Sequence, residues 1–256
     1  MQKSKKTTLK SLSEKEHGYI ICYPTPETEE FKHRLNELKR LSIEALEFIG
    51  QKHVHNTPVL GKGCVGIVVK AYRKDGKVAL KVRRTDANRS TMQHEAQMLK
   101  KANKIDVGPR LLGITKNFLL MEYVEGALLP EWIKMLTGKD TRKRLRCVLR
   151  LVLEHAWRLD KLGLDHGELS RAPKHIIVKP DNVPCLVDFE TASISRSVSN
   201  VTSICQYLFI GSPVAKLIQR KLGDINKDNL VNTLRTYKKS NNEKNFEKIL
   251  ATCGVL

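Results

Sequence analysis

Residues 61–81 read GKGCVGIVVKAYRKDGKVALK. They begin with a complete G-x-G-x-x-G-x-V set, Gly61 to Val68, and a Lys-Asp-Gly turn separates two runs rich in β-branched residues. Because glycines lack side chains, they let backbone amides approach phosphate groups. The stretch therefore predicts an antiparallel hairpin that covers phosphates. A dinucleotide-binding turn would need a helix directly after the glycines, and an ordinary glycine-rich hairpin would need no partner motifs.

The segments that follow predict one helix and two more strands. Residues 88–103 carry apolar side chains at helical spacing around Glu95, and the apolar runs RLLGIT and NFLLMEYV come after a Gly-Pro turn. With TPVLGKG as the first strand, residues 57–125 are predicted to form an antiparallel five-stranded lobe with one helix.

Residues 1–56 are predicted as an N-terminal extension of this lobe. Residues 1–16 are polar and lysine-rich, which predicts a frayed tail, and the apolar run YIIC predicts a short strand. From Thr28 to Ile49, apolar residues recur at steps of three and four, which predicts one helix closed by Gly50.

After Gly126 the pattern becomes mainly helical. LPEWIKML and the segment from Arg142 to Leu162 have the apolar spacing of helices, and two short strands, HIIVK and CLVDF, follow. The remaining predicted helices lie near 200–210, 214–222, 227–239 and 243–251. The predicted fold class is α+β, with residues 126–256 as a mainly helical second lobe.

Three further motifs follow the glycine-rich set in order. Val78-Ala79-Leu80-Lys81 places a lysine in an apolar strand, NFLLMEYVEG is a strand that enters a connector, and LVDFE ends a strand at Asp188. In this order they resemble the protein-kinase superfamily, with its V-A-I-K strand, hinge and Asp-Phe-Gly motif. Over residues 57–190 the chain is similar to archaeal predicted Ser/Thr kinases and Rio-type kinases, which implies a bilobal fold that binds ATP.

The resemblance assigns roles to these motifs. Lys81 would reach the α- and β-phosphates, Glu95 would hold it in an ion pair, and Asp188 would bind the metal that bridges the β- and γ-phosphates. The residues that would contact the nucleotide are Gly61, Lys62, Gly63, Gly66, Val68, Ala79, Lys81, Met121, Glu122 and Val124. The alternatives are a surface lysine, a solvated helix glutamate and a turn aspartate.

The hinge that the resemblance implies would read adenine through its backbone. Met121 would be the gatekeeper, the Glu122 carbonyl would accept a hydrogen bond from adenine, and the Val124 amide would donate one. The alternative is a core strand followed by a turn.

Residues 164–178, LDHGELSRAPKHIIV, resemble the His-Gly-Asp-Leu-Ser loop of Rio-type kinases with two departures. Glu168 stands in place of the catalytic aspartate, and Pro173 in place of a metal-binding asparagine. A two-residue insertion would put His175 in the asparagine's place, as a second ligand that favours Mn²⁺ over Mg²⁺ or as a structural histidine. Glu168 can accept a hydroxyl proton, but its longer side chain displaces the carboxylate, which predicts impaired transfer.

Composition narrows the class of protein. The chain has 46 Lys+Arg and 27 Asp+Glu, and the resulting charge of +19 fits either solubilising surface lysines or a surface that faces RNA or a ribonucleoprotein. Six cysteines without a Cys-x-x-Cys pair predict reduced, mostly packed thiols. Because no run of roughly 18 apolar residues occurs, we expect a cytoplasmic protein without a membrane partner.

Only TASISRSVSN separates Glu190 from the next predicted helix, so a long activation segment and an Ala-Pro-Glu motif are missing. The expected function is an ATP-dependent serine/threonine protein kinase of atypical type, with its own chain among its possible substrates. The alternatives are a small-molecule kinase and an RNA-associated ATPase or ATP-binding pseudokinase scaffold. The sequence indicates neither the substrate nor the oligomeric state.

Overall fold

The computed structural model describes residues 6–12 and 14–256 of the chain. It divides into two compact units. Unit 1 contains the residues up to Lys100 together with Pro109–Tyr123, and unit 2 contains Lys101–Gly108 and Val124–Leu256. Both combine helices with antiparallel strands, which confirms the predicted α+β class.

Unit 1 is built on one antiparallel sheet. The strands of unit 1 are β1 (Lys6–Thr8), β2 (Ala45–Glu47), β3 (Lys52–Val54), β4 (Thr57–Val59), β5 (Gly61–Lys62), β6 (Gly66–Arg73), β7 (Gly76–Arg83), β8 (Leu111–Ile114) and β9 (Phe118–Glu122). Its helices are α1 (Glu14–Ile21), α2 (Thr28–Arg40) and α3 (Gln93–Asn103), whose end lies beyond Lys100. Seven strands form the sheet in the order β1-β2-β6-β7-β9-β8, with β5 paired to β6, while β3 and β4 form a separate hairpin.

One face of this sheet carries the apolar core of unit 1. Side chains alternate between the two faces of a strand, so every second residue of β6, β7 and β9 points into the core. The buried residues on this face are Ile67, Val69, Ala71, Val78, Leu80, Val82, Phe118 and Leu120. They pack with Phe31 and Leu38 of α2, so the N-terminal helices cover this face and leave the other face to different side chains.

Residues 57–125 contain the one predicted helix, α3, but the sheet to which they belong has seven strands and not five. Strands β1 and β2 extend the sheet because β2 pairs with β6, with Leu46 opposite Ala71, and β1 pairs with β2, with Thr7 opposite Leu46. Residues predicted as a separate extension therefore belong to the same unit as the glycine-rich stretch. The predicted frayed tail lies partly outside the described residues, but Lys6–Thr8 forms β1.

A buried polar network fastens α2 to the sheet. Arg34 is fully buried, and its Nη1 donates to the Ile21 and Arg83 carbonyls at 2.6 Å each. The Asn117 side chain accepts from Arg34 (3.1 Å) and donates to Glu37 Oε1 (2.7 Å). Because a buried charge is costly unless it is paired and hydrogen-bonded, this network requires α2 and the sheet to dock in one arrangement.

Two N-terminal predictions are wrong. The apolar run YIIC, predicted as a strand, ends helix α1, because a short apolar run does not distinguish a buried strand from a buried helix. The helix that starts at Thr28 ends at Arg40 and not at Gly50. Ser42 adopts a left-handed φ of 57°, and the Ile43 amide returns to the Leu38 carbonyl, which terminates the helix as in a Schellman motif. The later apolar residues that continued the helical spacing lie in and around β2.

Unit 2 is mainly helical, as predicted. Its strands are β10 (Ala127–Leu128), β11 (Ile176–Val178) and β12 (Pro184–Leu186), in one antiparallel sheet of that order. Its helices are α4 (Leu129–Met135), α5 (Thr141–Leu162), α6 (Asn200–Cys205), α7 (Pro213–Leu222), α8 (Lys227–Lys239) and α9 (Glu243–Thr252), with a π-helical turn at Gln206–Ile210. The apolar stripe predicted for α5 is buried, namely Leu145, Val148, Leu149, Val152, Leu153 and Leu159.

Two coarser predictions are also testable on the described residues. Four of the six cysteines are buried, which confirms mostly packed thiols. Within residues 6–12 and 14–256, no single helix is long and apolar enough to cross a bilayer. The bent pair Asn200–Ile210 and Pro213–Leu222 reaches that length and composition only when its two parts are taken together.

Candidate functional site

The glycine-rich stretch forms the predicted hairpin, with Gly61 and Lys62 in β5 and Gly66 at the start of β6. The Gly63 amide donates to the Gly66 carbonyl at 2.8 Å and closes the turn. A Cβ atom on Gly66 would lie 3.1 Å from two carbons of the Lys81 side chain, so glycine lets the hairpin lie close against that lysine. Since a strand follows the glycines, the dinucleotide-binding alternative is wrong.

Four of the predicted nucleotide-contacting side chains share one face of the sheet in unit 1. The strand register places Val68 opposite Lys81, and Ala79 opposite Met121. Directly paired residues of antiparallel strands point to the same face, and so do residues two apart along one strand. Val68, Ala79, Lys81 and Met121 therefore lie together on the face opposite the apolar core.

Lys81 forms the ion pair that the sequence predicts. Its Nζ lies 3.0 Å from Glu95 Oε1 and 2.8 Å from Glu95 Oε2. Glu95 lies in the first turn of α3, and Met92 and Leu99 bury the same side of this segment. The Lys81 and Glu95 side chains are 5% and 4% exposed, so the alternatives of a surface lysine and a solvated glutamate are wrong. A cation held this deeply on a sheet face is suited to an anionic ligand.

The predicted hinge residues lie where β9 ends. The Glu122 amide donates to the Arg110 carbonyl (2.9 Å), and the Arg110 amide donates to Glu122 Oε2 (3.3 Å), which anchors the last strand residue. Val124 follows and belongs to unit 2. Lys62, at the hairpin, is exposed, with its Nζ 4.9 Å from the centroid of the Tyr23 ring. The structure thus brings Met121 to the Lys81 face and leaves Lys62 at the surface.

In unit 2, the loop that contains His166 and Glu168 is held by its backbone. The His166 amide donates to Asn200 Oδ1 at 2.8 Å. Gly167 has a φ of 87°, and a Cβ there would lie 2.9 Å from Thr191 Oγ1, so only glycine fits without strain. The chain therefore turns at Gly167, immediately before Glu168.

His166 is a buried structural group of this loop. Its Nε2 lies 3.2 Å from the Val187 carbonyl oxygen, and its ring centroid is 4.9 Å from that of Phe189. Burial, with the nearby His175 ring adding to the effect, lowers the pKa of His166 to about 4. The imidazole is therefore neutral at neutral pH and packs against Phe189.

Asp165, the other carboxylate of this loop, is engaged elsewhere. Its carboxylate accepts hydrogen bonds from Arg196 Nε (2.7 Å) and the Ser199 amide (3.2 Å), and its backbone pairs with Ser193. These contacts leave Glu168 as the carboxylate that this loop presents to a ligand.

The hairpin of β11 and β12 brings His175 next to Asp188. Ile176 pairs with Leu186, and the ladder continues outward through a hydrogen bond from the Val187 amide to the His175 carbonyl (2.9 Å). His175 thus precedes one strand while Asp188 follows the other. Asp188 has a left-handed φ of 72°, a strained conformation that is rare for aspartate outside turns and functional sites.

His175 lies close to both Glu168 and Asp188 within unit 2. His175 Nε2 lies 3.2 Å from Glu168 Oε2 and 3.8 Å from Asp188 Oδ2. Burial lowers the pKa of His175, although the charges of Asp188 and Glu168 oppose this shift. The imidazole nitrogen therefore lies near one carboxylate oxygen of each acidic residue, and carboxylate oxygens and imidazole nitrogens both bind divalent cations. The two-residue insertion inferred from the sequence therefore does bring His175 beside Asp188.

Sequence reasoning missed the residues that position this loop. Asn200, at the start of α6, donates to Asp160 Oδ1 through its backbone amide (2.9 Å) and its side chain (2.8 Å). Asp160 also accepts from Tyr237 (3.0 Å), and burial raises the Asp160 pKa. An asparagine at a helix start is common as a cap, so the sequence offered no signal that this one holds His166.

Neither a protein-family model nor a curated protein matches this chain. The resemblance of its motifs to kinases therefore stays a prediction, and any functional conclusion depends on the chemistry of the groups described above.

Proposed function

We propose that the protein is an ATP-dependent phosphotransferase, of which an atypical serine/threonine protein kinase is the form that fits best. The observation that carries this proposal is the buried Lys81–Glu95 pair beside the glycine-rich hairpin. A structural ion pair would not require a glycine turn against it. A lysine that binds phosphates requires both a fixed ammonium and a backbone that approaches closely.

Under this proposal, unit 1 binds ATP. The hairpin that contains Gly61, Gly63 and Gly66 lies close to the phosphates, and Lys81 donates to the α- and β-phosphates while Glu95 holds it in place. The apolar groups of unit 1 proposed to contact adenine are Val68, Ala79 and Met121, with the Glu122 carbonyl as its backbone partner. The shared sheet face of the three apolar groups with Lys81 supports this assignment.

Unit 2 carries the groups proposed for transfer. Asp188 and His175 would hold a divalent cation, Mg²⁺ or Mn²⁺, which would supply positive charge to neutralise phosphate oxygens. The acceptor hydroxyl oxygen attacks the γ-phosphorus, the bond to the ADP oxygen breaks, and the hydroxyl proton passes to the Glu168 carboxylate. The bent geometry at Gly167 and the partly exposed Glu168 carboxylate support this role.

The proposal is tested by transfer of label from γ-labelled ATP to the chain itself and to a basic protein substrate. We expect labelling by the wild-type protein with Mg²⁺ or Mn²⁺, and its loss in Asp188→Ala. The matched control is Asp181→Ala, which removes an exposed carboxylate from the β11–β12 connection of the same unit. Equal labelling by wild type and Asp188→Ala would contradict the proposal.

The departures at Glu168 and His175 favour one second candidate, an ATP-binding protein that does not transfer phosphate and that associates with RNA. The charge of +19 supports it. Under this candidate, the wild-type protein binds ATP and the Lys81→Met variant does not. No acceptor becomes labelled. RNA binding is steeply salt-dependent and changes when ATP is present. A small-molecule kinase would instead label sugars, nucleosides or lipid headgroups in a screen.

A further inference from the structure

The start of helix α5 in unit 2 carries an excess of positive charge. Residues 141–153 contain five arginine and lysine residues and no acidic residue. Arg150 forms an ion pair with Glu154 at 2.8 Å. The other four cations form no ion pair with a carboxylate of residues 6–12 or 14–256, and they are Arg142, Lys143, Arg144 and Arg146. Because like charges one helical turn apart repel each other, a bound anion would relieve this repulsion.

Neutral groups hold several cations of this region in place. Arg144 donates to Asn182 Oδ1 from Nε (3.3 Å) and from Nη2 (3.0 Å). Arg142 Nε donates to the Lys221 carbonyl (3.1 Å), and Lys221 Nζ donates to the Leu136 carbonyl (2.9 Å). These acceptors carry no net charge, so they orient the three cations without neutralising them. Since a guanidinium has five N–H donors, both arginines keep donors for a phosphate group.

A cavity in unit 2 lies beside these cations. It encloses about 290 Å³, and Trp132, Met135 and Val178 contribute apolar walls. Leu136, whose carbonyl holds Lys221, also lines it, and so does Arg144, with its Cζ 6.0 Å from the centroid of the Trp132 ring. None of the described residues that line the cavity is acidic. Its volume is near the lower limit of small-ligand sites, roughly 300 Å³, which suits one ring-sized group.

The combination of oriented cations and an apolar cavity distinguishes among anionic partners. An acidic peptide would pair with the cations, but its charged residues supply no ring for the cavity. In a nucleic-acid duplex the bases are stacked and paired. A single strand presents phosphates together with unpaired bases, whose faces pack against aromatic side chains. Among these partners, only a single strand uses both features, and the net charge of +19 favours the approach of any nucleic acid.

We propose that Arg142, Arg144 and Lys221 bind the phosphates of a single-stranded nucleic acid, and that one unpaired base enters the cavity beside Trp132. The inference deepens the RNA-associated candidate, on which it rests for the use of nucleic acid, by assigning the strand to a defined surface of unit 2. It does not depend on phosphate transfer from ATP.

The test is a titration of a labelled oligouridine of about 12 nucleotides with the full-length protein, followed by fluorescence anisotropy at several salt concentrations. Arg142→Gln/Arg144→Gln should weaken binding by roughly tenfold or more. It should also make the slope of log affinity against log salt shallower by about 1.4, since each phosphate contact on a single strand contributes about 0.7. The matched control, Arg235→Gln/Lys239→Gln, removes the same charge from exposed positions of α8 and should bind as the wild type does. Arg235 also donates to an asparagine side chain, that of Asn232.

Tryptophan emission tests the entry of a base into the cavity. The chain has two tryptophans, and Trp157→Phe leaves Trp132 as the single emitter while it keeps an aromatic ring against Phe246. Saturating oligouridine should quench the Trp132 emission, because a base packs against the ring. Polyglutamate at the same concentration of charge should neither quench the emission nor displace the strand. Oligothymidine of the same length assigns the strand as RNA or DNA.

Equal binding of oligouridine by the two double variants would overturn the proposal, and circular dichroism that matches the wild type would show that both fold. Unchanged Trp132 emission at saturation, displacement by polyglutamate, or tighter binding of a duplex of the same length would also overturn it.

These outcomes separate the inference from the functions proposed above. If the wild type and both double variants bind oligouridine equally, the surface inference fails and the RNA-associated candidate stands. If the wild type binds no oligouridine, both fail, and the labelling assay with ATP still decides on phosphate transfer. If only the arginine variant loses oligouridine while no label is transferred from ATP, the surface inference stands and the phosphotransferase proposal fails.

Discussion

The Lys81 ammonium lies 2.8 Å from Glu95 Oε2, and both side chains are buried on the face of the sheet opposite the apolar core of unit 1. Burial of two opposite charges is not by itself a source of stability, since desolvation offsets most of their attraction. The desolvation cost of these two buried charges is explained if the pair binds a ligand. The first prediction follows from this relationship.

Lys81→Met should weaken ATP binding by roughly 10- to 100-fold, because a charge-assisted hydrogen bond to a phosphate contributes about 1.5–3 kcal/mol. Isothermal titration calorimetry measures the affinity. Lys77→Met is the matched control, since Lys77 lies on the same strand but is exposed, and it should bind ATP as the wild type does. Equal affinities for Lys81→Met and Lys77→Met would show that Lys81 does not contact the nucleotide.

Asn200→Ala should loosen the loop before Glu168. The substitution removes the acceptor of the His166 amide and two donors of buried hydrogen bonds, so we expect the free energy of unfolding to fall by about 1–3 kcal/mol. Hydrogen exchange of the His166 amide should accelerate more than the loss of stability explains. Asn226→Ala, at the exposed start of α8, is the control and should cost about 1 kcal/mol without a specific effect on His166. The same exchange rate in both variants would argue against a positioning role for Asn200.

Arg34→Met should destabilise the docking of α2 on the sheet. Removal of one member of a buried charged network costs about 3–5 kcal/mol, because Glu37 and Asn117 lose their fixed arrangement. Urea denaturation measures the change. Arg40→Met makes the same substitution at an exposed position of the same helix, where we expect a change within about 0.5 kcal/mol. A cost for Arg34→Met no larger than that of its control would mean that the network is energetically neutral.

His155 should make stability depend on pH in the acid range. Burial, with the charges of Arg158 and Lys179 adding to the effect and that of Glu154 opposing it, lowers the pKa of His155 to about 4 from its ordinary value of 6.5. The unfolded chain therefore binds more protons than the folded chain between these values. The contribution of neutral His155 to the free energy of unfolding is complete above about pH 6.5. It is lost as the pH falls toward 4, by at most about 1.4 kcal/mol per pH unit.

Urea denaturation at a series of pH values between about 7 and 4.5 measures this dependence. His155→Gln should make the curve less steep, because glutamine does not titrate, while the dependence from buried His166 remains. His53→Gln, at an exposed position of β3, should leave the curve as in the wild type. A curve for His155→Gln as steep as that of the wild type would assign the acid sensitivity to other groups.

The fold was predictable from the sequence where local pattern and tertiary burial agree. The glycine hairpin, strand β7 with Lys81, and helix α5 all formed as predicted, because alternation and helical spacing report directly on which face of an element is buried. The N-terminal segment was not predictable in this way. Its apolar residues fit a strand, a helix or a longer helix equally well. The left-handed position after α2 is occupied by Ser42 and not by glycine, so the sequence contains no signal of the turn.

The candidate site was likewise predictable only in part from the sequence. The sequence by itself determined which residue types are present in which order, and this was enough to pair Lys81 with Glu95 and to select His175 over Pro173 as the neighbour of Asp188. Only the tertiary structure decided that Glu168 reaches His175, that Asp165 is engaged by Arg196, and that Asn200 holds His166. These contacts join segments up to 34 residues apart, and the distance between such groups depends on how helices and hairpins pack, which no local pattern encodes.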